Sequence, residues 1–204
     1  MARAHPARRP VTASPASPAS PASPASPGSS WHAVPGSAVT AVGDSVLVAS
    51  TPALQQALPG IYIDAQVGRQ FYTGLSVIAA LKARGLLRRI VVVDLGTNGT
   101  VTWAEISRLF AEIGKHRRLV LVNTFEDRSW EYEVNSTLAA AARDHPDVEL
   151  ANWYATVEHR TYLLWSDGIH PQPAGGLVYA RMLKAAVEKA GNLPGPPAAR
   201  PRVR

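Results

Sequence analysis

The 204-residue sequence contains no cysteine. Disulfide frameworks, thiolate metal sites and a cysteine nucleophile are therefore excluded. No apolar run approaches the roughly 18 residues that a membrane-spanning helix needs. The basic start, MARAHPARRPVTASPAS, also lacks the apolar stretch of a complete secretory signal. The sequence thus predicts neither a transmembrane segment nor a complete signal peptide in this chain.

Large apolar residues are scarce at both ends of the chain. Residues 1–30 contain a run of Ala-Ser-Pro repeats, and residues 191–204 are rich in proline and arginine. Such segments bury too little surface to offset the entropy lost on ordering them. We predict a disordered Ala/Ser/Pro-rich linker over residues 1–30, a disordered basic tail over 191–204, and one folded domain over 31–190.

The formal net charge of +6 arises from these two ends. Each end carries three arginines and no acidic residue, so the remaining 15 basic residues balance 15 acidic ones. A folded nucleic-acid-binding domain needs a basic face, and a neutral core does not predict one. We therefore expect no specific nucleic-acid partner.

The central segment alternates short β-branched runs with longer amphipathic segments. The short runs are typical of strands covered on both faces, and they span residues 38–42, 61–64, 90–95, 119–123 and 148–152. The longer segments have apolar residues at i, i+3, i+4 and i+7, as in helices that lie on a sheet. The alternation predicts an α/β fold, a three-layer α/β/α sandwich with a five-stranded parallel sheet of flavodoxin-like type.

Polar residues follow the strands at the edge where such folds place their sites. Ser45 follows the first strand, Gly68 the second and Asn98 the third, while Asp167 and His170 follow the fifth. Because the carboxyl ends of parallel strands share one edge, we expect these four loops to form a single pocket.

Ser45 lies where a strand passes into a helix, and the free N–H groups there suit a nucleophile and its oxyanion. The alternative for such a serine is a helix N-cap. A serine nucleophile needs a base, and Asp167-Gly168-Ile169-His170 could supply a histidine together with the carboxylate that orients it. The alternative for that segment is a solvated surface turn.

An oxyanion also needs neutral hydrogen-bond donors, which the Ser45 and Gly68 N–H groups and the Asn98 amide could provide. The alternative for the segment around Asn98 is a glycine-rich turn. Further candidates for substrate contacts are Asp44, Arg69, Asn123 and Trp130. Their alternatives are structural: an ion pair of Arg69 with Asp64 or Asp94, helix capping by Asn123, and core packing of Trp130.

The sequence blocks that contain these residues resemble the SGNH, or GDSL-type, hydrolase superfamily. Ser45, Gly68, Asn98 and His170 match its four marker residues in chain order, and Asp167 precedes the histidine by three positions. More narrowly, AVGDSV, IDAQVGRQ, VVVDLGTNG and SDGIHP are similar to the extracytoplasmic SGNH domains fused to bacterial membrane acyltransferases. Those domains are associated with O-acetylation of peptidoglycan and other cell-surface glycans.

The resemblance implies a serine-dependent O-acetyltransferase or acetylesterase that acts on cell-wall or cell-surface glycan through an acetyl-Ser45 intermediate. His170 would be the base, Asp167 would orient it, and no metal or diffusible cofactor would be needed. An extracytoplasmic location is implied, with an acetyl donor relayed by a membrane acyltransferase domain absent from this chain. The alternatives are an inert glycan-binding or scaffold domain of SGNH fold and a nucleotide-binding domain, although glycine-rich phosphate motifs are missing.

Overall fold

The computed structural model describes residues 32–193. A single parallel sheet contains β1 (Val39–Gly43), β2 (Tyr62–Ala65), β3 (Ile90–Asp94), β4 (Arg118–Val122) and β5 (Val148–Ala151). The strand order across the sheet is β2-β1-β3-β4-β5, which is the flavodoxin-like order. The predicted fold class is confirmed, and each predicted strand boundary lies within one residue of the observed one.

Helices connect and follow the strands: α1 (Ser45–Ala57), α2 (Phe71–Ala83), α3 (Trp103–Ile113), α4 (Glu131–Asp144), α5 (Trp153–Val157) and α6 (Pro173–Gly191). The sequence patterns predicted all of them except α5. This helix has five residues, too few to establish a helical period. No helix within residues 32–193 has the length and apolar character needed to cross a bilayer.

The two faces of the sheet bury separate cores. Ile90 and Val92 of β3 belong to the core beneath α1, α5 and α6, whereas Val91 and Val93 belong to the core beneath α2, α3 and α4. This alternation follows from the two-residue period of a strand. Because both faces of the sheet are covered by helices, a site built on the sheet lies at the ends of its strands.

The predicted linker and tail fall mostly on residues 1–31 and 194–204, which lie outside the described residues. The predicted boundary at residue 190 falls inside α6, which continues through Gly191. Beyond it, the Asn192 side chain accepts a hydrogen bond from the His32 N–H and donates one to the His32 carbonyl, both at 3.0 Å. The folded part of the chain therefore extends past residue 190.

Candidate active site

Ser45 is the first residue of α1, one position after Asp44 and two after the end of β1. Asp44 is the N-cap of this helix, and its Oδ1 accepts a hydrogen bond from the Val46 N–H at 3.0 Å. The alternative that Ser45 caps α1 is therefore wrong. Since Asp44 takes the capping role, the Ser45 hydroxyl is left to face the neighbouring loops.

Gly43 permits the tight passage from β1 into α1. A Cβ atom at this position would lie 2.5 Å from Cδ2 of Leu47 and 3.0 Å from the carbonyl oxygen of Asp94. Any larger residue would push the first turn of α1 away from the strand and displace Ser45 with it.

The segment that carries Asp167 and His170 is a tight hairpin-like loop. Leu164 and Pro171 form an antiparallel bridge, and the Trp165 N–H donates to the His170 carbonyl at 2.8 Å. Gly168 has a φ of +71°, a conformation that glycine adopts without strain. The loop is thus held at its base by backbone bonds and reverses direction at a glycine.

A chain of hydrogen bonds joins the three predicted residues. Nε2 of His170 lies 2.8 Å from Oγ of Ser45, and Nδ1 of His170 lies 2.9 Å from Oδ2 of Asp167. His170 is therefore not a solvated side chain on a surface turn. These are the contacts that a nucleophile, a general base and an orienting carboxylate require.

The second carboxyl oxygen of Asp167 also accepts hydrogen bonds. Its Oδ1 accepts hydrogen bonds from the Ile169 N–H at 2.9 Å and the His170 N–H at 3.0 Å. Desolvation acts to raise the pKa of Asp167, but the His170 and Ile169 N–H groups and the His170 imidazole outweigh it and lower the pKa to about 2. An ionised Asp167 favours a proton on Nδ1 and leaves Nε2 free to accept the Ser45 proton.

Ser45 and His170 open onto a cavity of about 510 Å³, within the range of roughly 300–1,000 Å³ usual for small-molecule sites. Its lining includes Asn98 from the β3–α3 loop, and Glu126, Arg128 and Trp130 from the β4–α4 segment. The Asn98 amide donates to the Arg69 carbonyl only at 3.5 Å, so that bond is weak. Two predicted oxyanion donors, on Ser45 and Asn98, therefore meet at one cavity.

Gly68, the third predicted oxyanion donor, occupies a different position. It lies in an exposed turn after β2 and is not among the described residues that line the cavity. Its role in the oxyanion hole stays a prediction.

Three of the predicted substrate contacts have structural partners instead. Asp44 is fully buried at the start of α1. Arg69 donates to the Asp64 carboxylate at 2.7 Å and to the Asp64 carbonyl at 2.6 Å, which is the ion pair weighed as the alternative. Asn123 bonds the Asn152 side chain at 2.8 Å and so supports the cap of α5. Of these candidates, Trp130 alone lines the cavity.

Two buried carboxyl groups lie at the ends of β1 and β3, next to Ser45. Asp94 accepts a hydrogen bond from the Tyr179 hydroxyl at 2.7 Å. Burial raises the pKa of Asp94 well above its usual range, and the charge of Asp44 adds to the shift. Burial also raises the pKa of Asp44, against hydrogen bonds from Val46, Thr97 and Asn98. The pair therefore carries less negative charge than two exposed carboxylates would.

No family model matches the chain. The peptidoglycan O-acetyltransferase OatA of Listeria monocytogenes is 34% identical over 149 residues, which cover 73% of this chain and 24% of that protein. YrhL of Bacillus subtilis is 32% identical over 151 residues, with coverage of 74% and 24%. The solved C-terminal catalytic domain of OatA from Streptococcus pneumoniae, with a methylsulfonyl adduct, superposes with a TM-score of 0.71 at 23% identity, covering 76% of this chain and 95% of that one.

The resemblance of the chain to the SGNH hydrolase superfamily, predicted from four sequence blocks, is confirmed by these relatives. A family 3 carbohydrate esterase from Talaromyces cellulolyticus shares the fold, with a TM-score of 0.57 and 14% identity over 74% of this chain and 96% of that one. The chain spans about a quarter of the length of the curated relatives it matches.

Among the buried residues that line the cavity, the sequence patterns missed the carboxyl group of Glu126. Glu126 follows β4 by four positions and is 4% exposed. The only available signal was a carboxylate after a strand at the edge where the other polar residues converge. Nothing in the sequence distinguishes it from its exposed neighbour Asp127. Within residues 32–193, no group of three or more histidine or acidic side chains is placed to hold a metal ion.

Proposed function

We propose that this chain transfers acetyl groups through Ser45, as an O-acetyltransferase or acetylesterase of cell-wall or cell-surface glycan. The hydrogen-bonded series Ser45–His170–Asp167 at the mouth of a cavity carries the proposal. The similarity to a protein named peptidoglycan O-acetyltransferase supports the acyl group and the class of acceptor.

In the first half-reaction, Oγ of Ser45 attacks the carbonyl carbon of the acetyl donor while its proton passes to Nε2 of His170. The negative charge that develops on the carbonyl oxygen is stabilised by the Ser45 N–H, at the start of α1, and by the Asn98 amide. The tetrahedral intermediate then collapses, and the leaving alcohol takes the proton from His170. The product is acetyl-Ser45.

In the second half-reaction, a hydroxyl of the acceptor attacks acetyl-Ser45 and gives its proton to His170. Collapse of the new intermediate breaks the bond to Ser45, whose oxygen recovers the proton. A sugar hydroxyl as acceptor makes the chain a transferase, and water makes it an esterase. Both outcomes use the same catalytic residues.

The setting of the reaction belongs to the same proposal. The acceptor is a cell-wall or cell-surface glycan, which lies outside the cytoplasm. The acetyl group is delivered by a membrane acyltransferase domain. The much greater length of the curated relatives is compatible with such a division of labour.

A paired assay tests the proposal. Wild type and Ser45→Ala are given an aryl acetate, with and without a chito-oligosaccharide, and the products are identified by mass spectrometry. Loss of the nucleophile should lower turnover on the order of a millionfold. Ser107→Ala, which removes an exposed hydroxyl on α3, is the matched control and should retain full activity.

Unchanged turnover in Ser45→Ala would contradict the mechanism. The inert binding-domain alternative predicts a different pattern, in which the wild type binds the sugar and produces neither acetylated sugar nor free acetate.

A further inference from the structure

The cavity contains a carboxyl group that the proposed reaction does not use. Glu126 lines the cavity together with Ser45 and His170, yet its side chain is 4% exposed. Its Oε1 accepts a hydrogen bond from the Trp130 indole N–H at 2.9 Å. Its backbone N–H donates to Oε2 of Glu131 at 2.5 Å. Both the side chain and the backbone of Glu126 are therefore hydrogen-bonded to residues at the start of α4.

The other carboxyl oxygen of Glu126 has no such partner. Oε2 is buried and makes no hydrogen bond with any residue in the described range 32–193. Buried polar atoms in native proteins are nearly always paired, because an unpaired one destabilises the folded state. A purely structural role would need only the bond to Trp130 and leaves Oε2 unexplained.

We propose that Glu126 determines acceptor specificity by accepting, through Oε2, a hydrogen bond from a hydroxyl or acetamido N–H of the incoming sugar. Trp130, whose indole N–H is already engaged, would present its apolar ring to the same sugar. Glu126 is thus a binding residue for the second half-reaction. This inference rests on the proposed function and adds the acceptor subsite to it.

The charges around Glu126 make this contact dependent on pH. Burial raises the pKa of Glu126 to about 7, helped by the charges of Asp44 and Glu131 and opposed by the Trp130 hydrogen bond and the charge of Arg128. His170 faces the same cavity. Because the ionised carboxylate is the better acceptor, sugar binding should strengthen as pH rises through about 7.

The variant Glu126→Gln distinguishes a purely structural role of Glu126 from a role in binding the sugar. The glutamine carbonyl can still accept from Trp130, and the backbone bond to Glu131 is unchanged, so a structural role would survive. The amide NH₂ would then occupy the position of Oε2 and oppose the donor group of the sugar. We expect the KM for a chito-oligosaccharide acceptor to rise roughly 10- to 100-fold.

The decisive quantity is the ratio of acetylated sugar to free acetate. His170 serves both acceptors, so its contribution to catalysis cancels in this ratio. In the wild type the ratio should rise with pH around 7, and in Glu126→Gln it should be lower and independent of pH. Asp127→Asn removes an exposed carboxylate of the same segment and should behave like the wild type. A wild-type ratio and pH profile in Glu126→Gln would overturn the inference.

Sugar binding supplies a second readout that needs no turnover. The Kd of the chito-oligosaccharide is measured by calorimetry for Ser45→Ala with and without Glu126→Gln. Tenfold or greater weakening by the second change supports the subsite, whereas equal affinities, or no binding to either protein, overturn it. Failure of the proposed function is distinct from both, because it would appear as turnover that survives Ser45→Ala, or as sugar binding by a wild type that forms no product.

Discussion

Two segments that line the cavity at Ser45 each carry a carboxyl group, one well hydrogen-bonded and one not. Asp167 is half-exposed, and both its oxygens accept hydrogen bonds, from two backbone N–H groups and from His170. Its pKa is lowered to about 2. Glu126 is buried with one oxygen paired and one unpaired, and its pKa is raised to about 7. Free aspartate and glutamate side chains have similar pKa values, so burial and hydrogen bonding together account for the difference between these two.

The difference indicates what each loop can do before substrate arrives. The loop of Asp167 contains every donor that its carboxylate needs, so the base is oriented in the free protein. The segment of Glu126 is satisfied only in part and gains from a further hydrogen-bond donor. We infer that the first loop serves the chemistry common to all acceptors, whereas the second selects among them.

The largest effect should come from disturbing the satisfied carboxylate. In Asp167→Asn, the amide would turn its NH₂ toward Nδ1 of His170 and so favour a proton on Nε2, where Ser45 needs an acceptor. Aryl acetate turnover should fall roughly 10⁴-fold, measured by initial rates on protein of confirmed thermal stability. Asp127→Asn is the matched control. A loss below about tenfold would remove the contrast between the two loops.

An intermediate effect is expected at Asn98, which lines the same cavity. Asn98→Ala removes an amide donor proposed to stabilise the oxyanion of both half-reactions. Hydrolysis and sugar transfer should both fall roughly 100- to 1,000-fold, and their ratio should stay constant. A change in the ratio, measured in the same assay, would place Asn98 with the acceptor subsite instead.

The smallest effect concerns stability. The pKa of Glu126 is raised by folding, so its protonated form favours the native state and this contribution is lost as pH rises from about 4.5 to about 7. Glu126→Gln does not titrate. Its free energy of unfolding relative to wild type should therefore increase with pH, by up to about 3 kcal/mol between the two limits.

Urea denaturation at about pH 4 and about pH 8 measures that change. An identical difference between variant and wild type at both pH values would show that Glu126 is not held in an unfavourable environment when ionised.

The fold was predictable because its signals are long and repeated. Most of the five strands are apolar on successive residues, and the helices α1 to α4 and α6 have amphipathic periods. Helix α5 was not predictable from such a period. It depends on the Asn152 cap, whose Oδ1 accepts the Ala155 N–H at 2.9 Å, and on burial of Trp153.

The site was predictable where its residues have a distinctive position along the chain. Ser45 after β1, and Asp167 and His170 three positions apart, could be found in that way. The sequence predicts Asp44 and Arg69 as substrate contacts because polar residues near a sheet edge are candidates for that role. Their burial and their bonds to Val46 and Asp64 depend on distances in space.

Glu126 is the converse case, a residue of the cavity that the sequence did not single out. It lies between ordinary loop residues in the sequence, and its importance comes from the Trp130 indole and from an unpaired oxygen. A resemblance to a family cannot supply such a contact unless the family's marker residues include it.

Trapping acetyl-Ser45 shows directly whether an acetyl group passes through this residue. Wild-type protein is mixed with an aryl acetate, quenched in acid within the first turnover, digested and analysed by peptide mass spectrometry. We expect one acetyl group on the peptide that contains Ser45. This acetyl group should be lost when a chito-oligosaccharide is added before the quench. Product release with an unmodified Ser45, or acetylation of another residue that survives in Ser45→Ala, would contradict it.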